Sequence, residues 1–376
     1  MEVKMDRVYL DNAATTCIRP EVLDVMTTAY TSAFGNPSSV HREGQRAKKL
    51  LEEARESIAS LLHCEPSELF FTSGGTESDN WAIRCSSEKE LQIITSSIEH
   101  AAVLRSCKMR EKEGSLVIYL PVDSKGWVST DELKRKISPD TSLVSVMLVN
   151  NEIGTIEPIQ ELAEIAHENG ALFHTDAVQA VGSLPVDFQD LGVDLLSFSA
   201  HKFYGPRGIG GLCVKKGTKL HSFVVGGAQE FRSRAGTENL PAILGMEKAL
   251  RLAEIERETA TKHIRTLSVL LRQEITKVCP QVLFHGDMEN GHPGIVNLYV
   301  PGMDGEKVLL YLDLKGFACS GGAACSSKDA DVSYVLAALG VPKEEAKNSI
   351  RVSIGANNTQ EEILSFVKAF ASVLKA

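Results

Sequence analysis

The chain has no uninterrupted apolar run of roughly eighteen residues, which excludes a membrane-spanning helix. Residues 1–10 alternate charge with apolar side chains, so the unbroken apolar stretch of a signal peptide is missing too. A cytoplasmic protein without a membrane partner is expected. The eight cysteines at 17, 64, 85, 107, 213, 279, 319 and 325 include no C-x-x-C pair, so neither a disulfide framework nor a zinc site is indicated, and no metal is expected. Taken singly, most of these thiols read as small buried hydrophobes. Basic runs are also missing: with a net charge of -9 and a pI near 5.7, no Lys/Arg-rich run is there to track a phosphate backbone, and no direct nucleic-acid partner is expected. There is no internal repeat and no low-complexity tract.

With 376 residues, 43% of them hydrophobic, the chain can form one large core and a smaller satellite. Short apolar runs rich in β-branched or aromatic residues occur at 68–72, 91–95, 116–120, 142–149, 171–175, 194–198 and 209–214, each of a length that suits a buried strand. Segments of helical spacing separate most of them; Ala47, Leu50, Leu51, Ala54, Ile58, Leu61 and Leu62 put one apolar stripe on a helix over 42–62. The alternation predicts an α/β fold with a mainly parallel sheet covered on both faces. After about Pro241 a long charged helix is predicted through about Cys279, bridging to a smaller α+β unit with strands at 295–300 and 349–354 and helices at 306–315 and 360–374.

Ligands of open α/β sheets gather at the carboxyl ends of the strands. After the first run comes Thr72-Ser73-Gly74-Gly75-Thr76-Glu77-Ser78-Asp79, where two glycines let backbone amides approach an anion and Thr76 with Asp79 could close a capping box; an ordinary glycine-rich turn is the plainer alternative. Glu99-His100, Asn150-Asn151-Glu152 and Asp176-Ala177-Val178-Gln179 follow later runs. The sixth run leads into Ser199-Ala200-His201-Lys202-Phe203-Tyr204-Gly205-Pro206. A lysine held there in a pocket would be desolvated and able to form a Schiff base, whereas a surface lysine before a turn is the ordinary case.

Ser-x-His-Lys at 199–202, with Asp-x-x-Gln at 176–179, resembles the fold-type I pyridoxal-phosphate enzymes of the class V aminotransferase group. Within that group, Tyr-Leu-Asp-Asn-Ala-Ala-Thr-Thr at 9–16, Phe-Gly-Asn-Pro-Ser-Ser at 34–39, Asn-Asn-Glu-Ile-Gly at 150–154 and Arg-Ala-Gly-Thr at 234–237 resemble the cysteine desulfurases of the NifS/IscS type. The similarity runs from residue 9 to about 355. It implies a seven-stranded, mainly parallel sheet in a large cofactor domain over 15–255, and a small α+β domain made of 1–14 with 256–376.

By the same resemblance, Lys202 would bind pyridoxal 5′-phosphate as a Schiff base and shuttle protons, and Asp176 would pair with the pyridinium nitrogen. Gln179 would bond the phenolic oxygen, and His100 would stack on the ring and serve as an acid or base. Gly75, Thr76, Ser199 and His201 would hold the phosphate, with Thr237 reaching it from the partner of a homodimer. Asn151 and Arg351 would hold L-cysteine, the arginine through a bidentate fork.

Residues 317–328 consist largely of small side chains that cannot anchor a core, which reads as a loop. The resemblance places the sulfur-accepting nucleophile at Cys325, eight residues before Ser333, with Lys328 near enough to favour a thiolate; Cys319 is the rival. The persulfide would pass to an acceptor protein for iron-sulfur cluster assembly or for thio-cofactor and tRNA thiolation. Gly355 is followed by Ala356-Asn357-Asn358, where enzymes of this type commonly carry an arginine and an aromatic. A selenocysteine lyase or another class V reaction, and a non-catalytic scaffold on the same fold, are the competing readings.

Overall fold

The computed structural model describes residues 7–86, 91–321 and 332–374. In chain order these form β1 (Val8–Tyr9), α1 (Pro20–Ser32), α2 (Arg42–Leu61), β2 (Leu69–Thr72), α3 (Gly75–Cys85), β3 (Gln92–Ser96), α4 (Ala101–Lys112) and β4 (Val117–Leu120). There follow α5 (Thr130–Lys136), β5 (Thr141–Ser145), α6 (Ile159–Glu168), β6 (Leu172–Asp176), β7 (Leu195–Ser199) and β8 (Gly210–Val214). The rest comprises α7 (Leu240–Val278), β9 (Leu283–His285), β10 (Ile295–Tyr299), α8 (Gly305–Leu314), β11 (Phe317–Ala318) and β12 (Ser320–Gly321). It ends with α9 (Tyr334–Ala338), α10 (Lys343–Asn348), β13 (Ile350–Ser353) and α11 (Gln360–Val373).

The central sheet has seven strands in the order β2-β8-β7-β6-β5-β3-β4. The five from β7 to β4 pair in parallel, while β8 is antiparallel to both β7 and β2. Two reversals restore direction, so β2 runs with the parallel strands and its carboxyl end opens on the same edge as theirs. Every residue of β3, β7 and β8 is buried, because helices cover both faces; that is why these segments read as continuous apolar runs rather than as alternation.

All seven expected runs form strands, six of them within one residue of the expected ends. The run at 142–149 is the exception, since β5 ends at Ser145. Past that point the Met147 amide donates to the Glu99 side chain at 3.0 Å instead of to β3, while the Val146 and Leu148 amides still donate to the His174 and Asp176 carbonyls of β6 at 3.1 and 2.9 Å, so the segment parts from β3 alone.

Helix α2 buries Ala47, Leu51, Ala54 and Ile58 as its spacing requires. The 39-residue α7 has two burials in succession. Residues from Leu240 to Ala253 pack into the core of the central sheet, and residues from Leu267 to Ile275 pack into a second core. That second core lies under the antiparallel sheet β12-β13-β10-β9, with α8 and α11. Between the two, the surface of α7 carries Arg257–Glu254 and Arg19–Glu256 ion pairs. Among the described residues no helix is long and apolar enough to cross a membrane.

Glu157 follows the Val149–Ile156 bridge and is buried, accepting from the Val128 amide at 2.9 Å while its other oxygen has no partner. Burial pushes its carboxyl up to about 8 from 4.5. A folded-state value above the unfolded one means that its stabilisation is complete below about pH 4.5 and is lost as pH rises toward 8. Glu157→Gln keeps the acceptor and removes the titration. Its melting temperature should match the wild type near about pH 5 and exceed it by about 2 °C or more near about pH 8.5. A thermal melt showing the same offset at both pH values would refute this account.

Candidate active site

The shared carboxyl edge of the sheet collects the polar residues. Asp176 and Ser199 are the last residues of β6 and β7, His201 and Lys202 lie in the helical turn Ala200–Lys202 that follows, His100 caps α4 after β3, and Asn151 follows β5. They line one cleft of about 1220 Å³ together with Gly75, Thr76, Gln179 and Arg351. Of the residues singled out in the sequence, ten therefore meet in this cleft, Thr237 is not among its lining residues, and Cys325 lies outside the described residues.

The expected capping box between Thr76 and Asp79 does not form. Gly74, at φ 144, is the N-cap of α3 and has no side chain to offer, and Asp79 sits a full turn inside the helix. Glu77 instead reaches back to the Ser73 amide at 2.8 Å and holds Arg234 by a two-pronged pair at 2.8 and 3.0 Å. The first-turn amides of Gly75, Thr76 and Glu77 have no helical acceptor, and no capping side chain competes for them. A Cβ on Gly210 would stand 2.7 Å from the Gly74 Cα, so glycine lets these two backbones close on one another, and a Cβ on Gly75 would stand 2.6 Å from the Val178 side chain. The result is a cradle for an anion.

The segment at 9–16 forms the opposite wall. Lys202 Nζ donates to the carbonyls of Ala13 and Ala14, and Gln179 Nε2 donates to the Ala13 carbonyl at 2.9 Å. His201 Nδ1 meets Thr15 Oγ1 at 3.2 Å, and burial pushes its imidazole down to about 4, so the ring is neutral at neutral pH. Burial lowers His100 as well, against the opposing pull of Asp176. Burial raises Asp176, while His100 and the Val178 amide, which donates to it at 2.9 Å, draw it back.

Arg351 enters from β13, in the second core's sheet. Its Nη2 donates to Asp11 Oδ1 at 2.8 Å and its Nη1 to the Asn151 carbonyl at 2.9 Å, while its buried Nε has no partner. One guanidinium thus joins the amino-terminal segment, the loop after β5 and the smaller sheet. Asp11 also accepts from Ser320 Oγ at 3.2 Å.

Some residues of this site had no role in the sequence reading. Asp11 was visible only as part of a motif, and Glu99 only as the neighbour of His100. Asp79 had been set down as a helix cap. The signal for it was there, because Gly75, Ser78, Asp79 and Ala82 share the buried stripe of α3, where an acid is out of place.

The profile of the aminotransferase class-V family matches residues 8–366. The chain belongs to that family. It is 48% identical to the cysteine desulfurase IscS of Dictyoglomus turgidum over 360 residues, which are 95% of this chain and 91% of that protein. It is 47% identical to the cysteine desulfurase IscS of Methanosarcina thermophila over 365 residues, covering 95% and 89%. A solved NifS-like protein superposes with a TM-score of 0.93 at 37% identity, over 98% of this chain and 99% of that one. SspA, solved in complex with cysteine, gives 0.81 at 33% identity, over 94% and 100%. The architecture is accordingly that of the fold-type I pyridoxal-phosphate enzymes, and pyridoxal phosphate is the family's cofactor.

The residues present fit that group. An anion cradle of unpaired helix amides, a buried carboxylate and a lysine amine line a single cleft, which are the donors and acceptors that a phosphate, a ring nitrogen and an aldehyde require.

Cys319, the rival nucleophile, sits between β11 and β12 with its thiol pushed up to about 12 by burial, and Cys107 is pushed equally far. Cys17 is exposed. In substrate-free protein at about pH 7.5, an alkylating reagent should modify Cys17 well before Cys319 or Cys107. Mass spectrometry that finds Cys319 modified as fast as Cys17 would restore it as a candidate.

Proposed function

We propose that this protein is a cysteine desulfurase that binds pyridoxal phosphate and free L-cysteine, moves the sulfur to the thiol of Cys325 and releases L-alanine. The observation that carries this reading is the convergence of Lys202, His100, Asp176 and Arg351 on one cleft in a chain nearly half identical to cysteine desulfurases.

When bound, the cofactor supplies an electron sink for the charge left on the substrate's Cα. The chain's own residues do the rest. Gly75, Thr76, Ser199 and His201 hold the phosphate through backbone amides and neutral side chains, while Asp176 and Gln179 fix the ring. Arg351 turns its fork from Asp11 toward the substrate carboxylate, with Asn151 beside it. Lys202 Nζ takes the Cα proton and returns it, and His100, with a depressed pKa, is a neutral imidazole able to hold a proton. The Cys325 thiolate forms a bond to the substrate's Sγ as the Cβ–Sγ bond breaks, its electron pair staying on carbon. The carbon skeleton takes up a proton and leaves as alanine, and the protein retains a persulfide.

In this reading the protein is a homodimer, with Thr237 of one copy completing the phosphate site of the other. The persulfide goes to an acceptor protein of iron-sulfur assembly or thiolation chemistry. Work in the cytoplasm suits a thiol that must stay reduced between turnovers. The boundary between a cofactor domain over 15–255 and a smaller domain falls inside α7, where burial passes from one core to the other.

Wild-type protein given L-cysteine and a reductant should release sulfide and alanine in equal amounts. Cys325→Ala should lose both by about two orders of magnitude or more, as expected when a nucleophile is removed, and an undiminished rate of cysteine turnover would overturn the persulfide step. Arg351→Lys keeps the charge but not the fork; it should raise KM for L-cysteine about tenfold, the loss of one charge-assisted hydrogen bond. An unchanged KM would remove Arg351 from the substrate site.

A further inference from the structure

Asp79 and Asp176 put two carboxyl groups into one buried pocket. Asp79 is 1% exposed and Asp176 4%, and one carboxylate oxygen of each lies with a ring nitrogen of His100 within 4.8 Å of one another. Asp79 is on α3 and Asp176 at the end of β6, so the helix that starts at the anion cradle also carries the acid that meets the cleft's buried carboxylate. Two carboxylates this close in a dry pocket cannot both hold a charge, and one retains a proton.

The surroundings decide which. Asp176 accepts the Val178 amide at 2.9 Å and feels Lys202, neither of which acts on Asp79, whereas His100 lies near both acids. Asp79 faces no cation. The ionisable groups around it are Asp176, Glu99, His174 and His100, whose imidazole burial keeps toward its neutral form, and Ser197 supplies the neutral contact. Glu99 is held up to about 8 by burial, and the proton it keeps at neutral pH leaves it uncharged. His174 Nε2 lies 3.7 Å from Asp79 Oδ1, but its ring nitrogens are engaged by Ser145 Oγ at 2.8 Å and Ser197 Oγ at 2.9 Å. Burial pushes that imidazole down to about 3, so it brings no positive charge. Asp79 Oδ1 itself is buried without a hydrogen-bond partner, tolerable for a neutral acid and costly for a carboxylate.

We propose that Asp79 is a positioning residue for Asp176, a neutral acid whose proton is donated to the Asp176 carboxylate, holding it in orientation and keeping the pair's single negative charge on Asp176. The inference rests on Asp176 being the carboxylate that meets pyridoxal phosphate. It assigns the reaction an additional determinant, one turn inside the helix whose first amides face the phosphate.

The test compares Asp79→Asn, whose amide can still donate, with Asp79→Ala, which cannot. Cofactor is removed from full-length protein, and the dissociation constant of added pyridoxal phosphate is followed by absorbance across the range in which the proteins stay folded. Asp79→Asn should bind within about twofold of wild type. Asp79→Ala should bind about tenfold or more weakly, the loss of one hydrogen bond to a charged group. Its deficit should widen as pH falls, because an Asp176 without its donor takes up a proton more readily. A purely structural defect would weaken binding equally at every pH. Asp79→Asn as weak as Asp79→Ala, a deficit independent of pH, or wild-type affinity in Asp79→Ala would each overturn the inference. Asp79→Asn keeps the test decisive should the alanine variant fail to fold. Uptake of cofactor by the wild type with the two variants alike sinks this inference alone, and no uptake by the wild type sinks the functional reading with it.

Discussion

The site is organised around a negative charge held where water does not reach it. A carboxylate at the end of β6 is destabilised by burial, and only nearby donors and cations make it tolerable. The chain provides these sparingly: the Val178 amide and Lys202 attend Asp176, while burial lowers the imidazoles of His100, His174 and His201 toward their neutral forms. Most of the remaining donors in the cleft are dipoles. Backbone amides at the start of α3 and a hydroxyl at Ser199 can meet an anion without adding full charges that would compete for Asp176.

Sheet topology brings this chemistry to one place. Five parallel strands end on the same edge, and β8, by running antiparallel to both of its neighbours, sends β2 in their direction so that the Gly74-Gly75 turn arrives beside Ser199. The turn packs closely enough on β8 that a side chain at Gly210 would collide with the backbone of Gly74. Among the described lining residues, Arg351 comes from the second core's sheet, held by Asp11 and the Asn151 carbonyl. A guanidinium clamped by a movable acid partner is ready for a carboxylate ligand at small reorganisation.

The fold was largely legible because burial left a strong imprint. Segments covered on both faces became unbroken apolar runs, and six of the seven strands fall within a residue of where those runs lie. The departure at Met147 arose from a side chain, Glu99, that captures a backbone amide, an event with no periodic signature. The site was legible at strand ends, where polar residues follow apolar ones abruptly. Asp79 was hidden because Thr76, three residues before it, imitates a helix cap; only the three-dimensional pairing of α3 with β6 reveals that it faces another acid. The loop expected over 317–328 was misread where it is described: Phe317 anchors the segment in the second core and residues 317–318 and 320–321 pair as β11 and β12, while 322–328 lie outside the described residues.

The contrast between Cys319 and Cys325 follows from what sulfur transfer demands. A thiol that receives sulfur has to ionise at neutral pH, reach the substrate and later reach an acceptor. Cys319 meets none of these conditions: it lies between two short strands, packs against the second core, and is driven toward its protonated form by burial near Asp11. The very contacts that attach β11 to β1 and β12 to β13 prevent it from serving. A chain that needs both a rigid carboxylate clamp at Arg351 and a thiol with access to two partners must separate them, and in this sequence five residues with small side chains, 320–324, lie between the anchored sulfur and the one assigned to transfer.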